Sequence, residues 1–126
     1  MDNLKLDIWG RPFNLDIIFD CFSNEEVLQT QKDALNNFID NQTNILSILY
    51  KELEKYLKVN YSTEIDNKID NIFKYVKPEA LFIKRTTNGD KKLALMCKFK
   101  FDLEHGLALV LKNGQFCAVG PQDIIL

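Results

Sequence analysis

Leu93-Ala94-Leu95-Met96-Cys97-Lys98-Phe99-Lys100-Phe101, continued after a short turn by Leu107-Ala108-Leu109-Val110-Leu111-Lys112-Asn113-Gly114, is the stretch that decides the fold. Leu93, Leu95, Cys97, Phe99 and Phe101 share one parity and Ala94, Met96, Lys98 and Lys100 the other. That is the period of a strand, and the first set is expected to face a core. Asn88-Gly89-Asp90 lies before this run and Asn113-Gly114 within it, and Asn-Gly between apolar runs is a strong hairpin signal. The last third therefore reads as a meander of four strands: Ala80 to Thr86, Leu93 to Phe101, Leu107 to Leu111 and Phe116 to Val119.

Towards the N-terminus the period changes. Leu28, Gln31, Leu35, Phe38, Ile45, Leu49, Leu53, Tyr56 and Leu57 recur at helical spacings, giving one apolar stripe from about Glu25 to Asn60. Ser23 offers an N-cap oxygen, and Glu25 and Glu26 suit a first helical turn. The poor helix formers Asn41-Gln42-Thr43-Asn44 predict a joint between two helices, or a bend in one. A shorter helix is expected at Asp66 to Tyr75, ending before Pro78. Two strands, Leu4–Trp9 and Phe13–Phe19, flank a predicted turn at Gly10-Arg11-Pro12. The expectation is one α+β domain over residues 1–126. It has an antiparallel sheet of about six strands, formed by the N-terminal hairpin and the C-terminal meander, with two or three helices on one face. Whether the hairpin joins the meander's sheet is left open by the pattern.

Composition narrows the function classes. The chain has 126 residues, 46% hydrophobic and 27% charged, as expected of a globular domain able to bury a core. A net charge of −2 with scattered basic residues argues against nucleic acid, which needs clustered Lys and Arg facing phosphate. Lys84-Arg85 with Lys91-Lys92 is the cluster noticed, and it reads as a solvated hairpin tip. Cys21, Cys97 and Cys117 are odd in number and lack CxxC spacing, so buried, reduced thiols are expected rather than a disulfide framework or zinc knuckle. Cys97 and Cys117 could approach on neighbouring strands and, with His105, be read as zinc ligands or a nucleophile–base pair, but their apolar flanks favour packing. No signal-peptide pattern or membrane-length apolar window is visible, so a cytoplasmic protein without a membrane partner is expected. Phosphate-binding, dinucleotide, zincin and hydrolase-elbow motifs are not found. No metal or cofactor is indicated, and the oligomeric state is open.

Several residues can still be weighed. Asp102-Leu103-Glu104-His105-Gly106 holds two carboxylates beside the only His, a combination that suits a divalent cation or acid–base work. Equally, Asp102 and Glu104 can cap backbone N–H groups while Gly106 takes a positive φ, making the turn structural. Trp9 and Arg11 can anchor a protein partner, although a Trp at such a place also closes a core edge. Glu64, Asp66 and Asp70 read as a solvated helix face that could dock a basic partner.

The text from Asp102-Leu103-Glu104-His105-Gly106-Leu107-Ala108-Leu109-Val110 to Gly120-Pro121-Gln122-Asp123 resembles a family of small bacterial proteins of unknown function. These end in a D-x-E-H-G-apolar hairpin, a Gly turn, another strand and G-x-x-D. Trp9-Gly10 and Gln31-Lys32-Asp33-Ala34-Leu35 agree more loosely. The resemblance implies an immunity or interaction role, since members of such families are sometimes encoded near toxin–immunity loci; it supplies no catalytic residue. The expectation is a non-catalytic protein-binding module, possible as an immunity-type inhibitor of a bacterial toxin. The alternative is a small metal-assisted or acid–base enzyme at Asp102, Glu104 and His105.

Overall fold

Alternation and turn chemistry build the sheet. In the computed structural model, which describes residues 3–126, β1 (Asn3–Ile8) and β2 (Arg11–Phe19) form a hairpin. Its turn is Trp9–Gly10, not Gly10-Arg11-Pro12, because Ile8 pairs with Arg11. Both turn residues have positive φ, 51° and 89°, as a two-residue hairpin turn requires. Pro12 is tolerated because β2 pairs with the next strand only from Asp16 onward.

The helices follow as α1 (Gln29–Asp40) and α2 (Gln42–Asn60), broken at Asn41, within the predicted joint. The Asn41 side chain turns back to donate to Asn37 O at 2.9 Å. Helix α1 begins later than Ser23 predicts, because Glu25 spends its carboxylate on the Phe22 N–H at 2.8 Å and on Arg85 at 3.3 Å. Arg85 also donates to Glu26 O, so residues 22–26 are held as a turn. The helix can start only after Leu28, whose N–H donates to Gln31 Oε1 at 2.9 Å.

The third helix is absent from Asp66 to Tyr75; a single 3-10 turn spans Ile72–Lys74, started by Asn71 Oδ1 accepting from Phe73 N at 3.0 Å. With Ile69, Ile72 and Phe73 already buried by the chain path, a helix is not needed to bury them. Four strands complete the sheet: β3 (Val76–Ile83), β4 (Lys92–Phe99), β5 (Leu107–Lys112) and β6 (Gln115–Gly120). Strand β3 starts earlier than predicted and passes through Pro78, where the β3–β4 ladder shifts register.

All six strands join one sheet in the order β1-β2-β3-β4-β5-β6, which settles the place of the N-terminal hairpin. The sheet is not wholly antiparallel: β2 and β3 run parallel. A parallel pair needs a long crossover, and the two helices provide it. Helix α1 lies over β3 and β4 and α2 reaches β6, so both cover one face, where Leu15, Leu81, Leu95, Phe99 and Leu109 meet Phe38, Leu49 and Leu53. The opposite face carries a smaller apolar cluster of Ala80, Ala94, Met96, Ala108, Val110 and Ile125. Ala94 and Met96 thus point away from the main core as expected, yet both are buried.

Candidate functional site

The turn between β4 and β5 is assembled from its own side chains. Phe99 O accepts from Asp102 N at 3.2 Å, and Asp102 O accepts from Gly106 N at 2.9 Å. Asp102 Oδ1 accepts from His105 N at 3.1 Å, and both carboxylate oxygens lie 3.1 Å from His105 Nδ1. The His105 backbone hydrogen bond, joined by the ring contact, holds the Asp102 carboxyl below its ordinary range. In return the hydrogen bond and charge of Asp102, with Glu104 behind them, raise the imidazole above its ordinary value.

Gly106 has φ 62°, and a Cβ there would lie 2.8 Å from Cys97 O and 2.6 Å from Gln122 Nε2. Glycine is therefore required on two counts, conformation and space. Gln122, in the C-terminal 3-10 turn Gln122–Ile124, locks the arrangement by donating to Cys97 O at 3.1 Å and to Glu79 at 3.4 Å. Its backbone N–H donates to His105 O at 3.0 Å.

With the turn so fixed, Leu103 is held outward and is 81% exposed. It stands on the rim of two open hollows. One, of about 250 Å³, is lined by Lys74, Tyr75, Lys77, Lys98 and Lys100 beside it. The other, of about 420 Å³, holds Glu79, Cys97, Glu104, Gly106 and Gln122, and Lys98 lines it as well as the first. Glu104 and its turn thus share a hollow, while the His105 ring turns to Asp102. Among the described residues, no group of three or more His, Cys, Asp or Glu side chains is placed to hold a metal ion.

The other sequence-predicted positions lie elsewhere. Trp9 Nε1 donates to Leu46 O at 2.8 Å, and its ring packs edge-on to Tyr50 and near Phe73, so it is half-buried against α2. Arg11 places its guanidinium 4.6 Å from the Phe73 ring centroid. Phe73 thereby brings Trp9 and Arg11 together, next to a hollow of about 250 Å³ walled by Asp7, Trp9, Gln42 and Ser47. Glu64, Asp66 and Asp70 are exposed on the irregular stretch after α2 rather than on a helix face. Asp66 lies 3.8 Å from Lys74 and accepts from the Tyr75 hydroxyl at 3.5 Å. At the hairpin tip noticed in the sequence, Lys84 pairs with Asp20 at 3.8 Å and Arg85 with Glu25.

The thiols divide. Cys97 is buried, and burial, with Glu79 adding, pushes its thiol well above the ordinary range. Cys117 is exposed, against expectation, because it falls at the irregularity where β6 pairs with β5, and β5 separates it from Cys97. Cys21 is half-buried, 3.4 Å from Arg85 Nη1.

Two groups escaped the sequence reading. Gln31, counted as part of an apolar stripe, is 1% exposed and donates to Asp20 O and Ile83 O at 3.1 and 3.2 Å, tying the ends of the parallel strands to α1. Of the four lysines of the hollow, the sequence marked Lys98 and Lys100 as outward positions of one strand and gave no sign of Lys74 and Lys77; the ladder that sets Lys77 opposite Lys98 brings them together.

A mixed six-stranded sheet under a helix pair, with its polar turn committed to local hydrogen bonds, defines a small α+β domain. The chain belongs to the family described as Domain of unknown function (DUF6985), which matches residues 2–126. No curated protein and no solved structure matches it.

Proposed function

We propose that the protein is a non-catalytic protein-binding module. The observation that carries this reading is Leu103, a large apolar side chain 81% exposed between two open hollows on a turn pinned by Asp102, Gly106 and Gln122. A rigid anchor loses little freedom on binding, and apolar anchors bordered by polar groups carry much of the energy of protein interfaces. Membrane insertion is not needed for such a role, and no described helix is long and apolar enough to cross a membrane.

The specific form proposed is an immunity-type inhibitor that covers the active site of a bacterial toxin in the cytoplasm. The C-terminal D-x-E-H-G resemblance supports that form, since members of such families are sometimes encoded near toxin systems. Trp9 and Arg11, with the acidic stretch of Glu64, Asp66 and Asp70, offer further contact points. The test is a cross-linked pull-down from the source cell with wild type and Leu103→Asp, identifying the partner by mass spectrometry. A stoichiometric partner lost in the variant is expected, and it should be a toxin whose growth inhibition is relieved by co-expression. Recovery of no partner, or equal recovery by both proteins, overturns the reading.

A second reading is favoured by the 3.1 Å contact of Asp102 with His105, the geometry by which a carboxylate orients a catalytic imidazole. Under it the chain is an acid–base or metal-assisted enzyme using Asp102, Glu104 and His105. Turnover abolished by His105→Ala in a folded protein would establish this reading in place of the first.

A further inference from the structure

The chain is acidic overall, yet four lysines gather around one hollow, away from the Lys84-Arg85 cluster that is paired with Asp20 and Glu25. Lys74, Lys77, Lys98 and Lys100 line the hollow of about 250 Å³ beside Tyr75 and Leu103. Lys77 and Lys98 stand directly opposite one another across β3 and β4, an arrangement that opposes folding because like charges meet on adjacent strands. Among the described residues neither makes an ion pair. Lys74 lies 3.8 Å from Asp66, both largely exposed, and the Lys100 ammonium stands 6.0 Å from the Tyr75 ring centroid. Lys98 also borders the neighbouring hollow of Glu79 and Glu104 but pairs with neither, so the Lys77–Lys98 contact is left uncompensated and an anion in the hollow would relieve it.

We propose that this hollow docks an acidic segment of a protein partner, with Leu103 packing against an apolar side chain next to the partner's carboxylates. The inference rests on the reading of the molecule as a protein-binding module and names its partner's chemistry. A protein segment fits better than a nucleic acid because the cationic track is short. Beyond Leu103 the surface passes to Glu79 and Glu104, onto which an extended phosphate backbone would run. An acidic peptide needs only one cluster of carboxylates facing one cluster of lysines, and the complementarity also speeds encounter.

The experiment is fluorescence anisotropy of the full chain with a labelled Glu-Glu-Leu-Glu-Glu peptide, its Gln-Gln-Leu-Gln-Gln counterpart and a single-stranded oligonucleotide. Saturable binding of the acidic peptide that weakens with added salt is expected, and Lys77→Gln/Lys98→Gln should weaken it about tenfold. Lys32→Gln, on an exposed position of α1, should leave it unchanged. Leu103→Ser should weaken it without altering the salt slope. The double variant removes a like-charge contact, so an undiminished urea midpoint separates lost binding from lost folding. No binding of the acidic peptide, equal binding by the double variant, or tighter binding of the oligonucleotide overturns the proposal. In the cellular pull-down, a partner kept by Lys77→Gln/Lys98→Gln but lost by Leu103→Asp refutes the acidic occupant and leaves the binding module standing. Loss from neither variant refutes the module itself.

Discussion

The two faces of the sheet are supplied by the same strands and are built differently. On the helix side, β4 contributes Leu93, Leu95, Cys97 and Phe99, and long side chains fill the space beneath α1 and α2. On the other side small residues sit beside larger neighbours across the ladder: Ile18, Phe82, Ala94, Val110 and Ala118 in one row, and Ala80, Met96, Ala108 and Gly120 in the next. Ala94 is 0% exposed because Phe82 and Val110 flank it, and Ile125 joins the same cluster. Burial therefore arises in two ways, by a covering layer on one face and by cross-strand neighbours on the other.

Leu95→Ala gives the largest expected effect. Removing a fully buried side chain beneath the helices should cost about 2–5 kcal/mol, read as a lowered urea midpoint. A loss no greater than that of a surface substitution would mean that the helices can settle into the gap, and the two faces would cease to differ. Next is Gln31→Ala, which strips the covered side of its buried polar link and leaves Asp20 O, Ile83 O and Leu28 N short of partners. A loss of about 1–3 kcal/mol is expected, with faster amide exchange at the β2–β3 junction. Exchange unchanged there would show that Gln31 does not hold the parallel strands.

Ala94→Leu sharpens the contrast from the open side. Overpacking inside a core costs about 1–3 kcal/mol, but Phe82 is only partly buried and can swing outward, so a loss under about 1 kcal/mol is expected. A loss equal to that of Leu95→Ala would make the open face a second core.

The smallest effect belongs to the turn where both faces end. His105 is raised in the folded state, so its contribution is complete below the unfolded imidazole value of about 6.5 and fades as pH rises through the folded value. Asp102 is lowered, so its contribution is present above the unfolded carboxylate value of about 3.9 and fades as pH falls through the folded value. The stability difference between wild type and His105→Gln should therefore be larger at pH 5.5 than at pH 8.5, and small throughout because the pair is exposed. A difference that grows towards pH 8.5 contradicts the pairing.

The sequence by itself determined the strands to within a few residues, the tight Asn113-Gly114 turn and the joint at Asn41-Gln42-Thr43-Asn44, since each follows from a local period or a backbone preference satisfied within a few residues, whereas Asn88-Gly89-Asp90 lies in a wider loop between Ile83 and Lys92. It also marked the Asp102–Gly106 turn, whose partners mostly lie within that same short stretch. Tertiary structure decided the rest. The parallel pairing of β2 with β3 depends on where the helices return the chain, and the start of α1 depends on Arg85, distant in sequence from Glu25 and Glu26. The 66–75 segment kept its buried Ile69, Ile72 and Phe73 but not its predicted helix, because packing of those side chains outweighed a weak local propensity. Likewise, the outward direction of Ala94, Met96 and Lys98 followed from strand parity, whereas burial of the first two and crowding of the third against Lys77 did not. Parity fixes the side of a sheet to which a side chain points; only the assembled neighbours fix what it meets there.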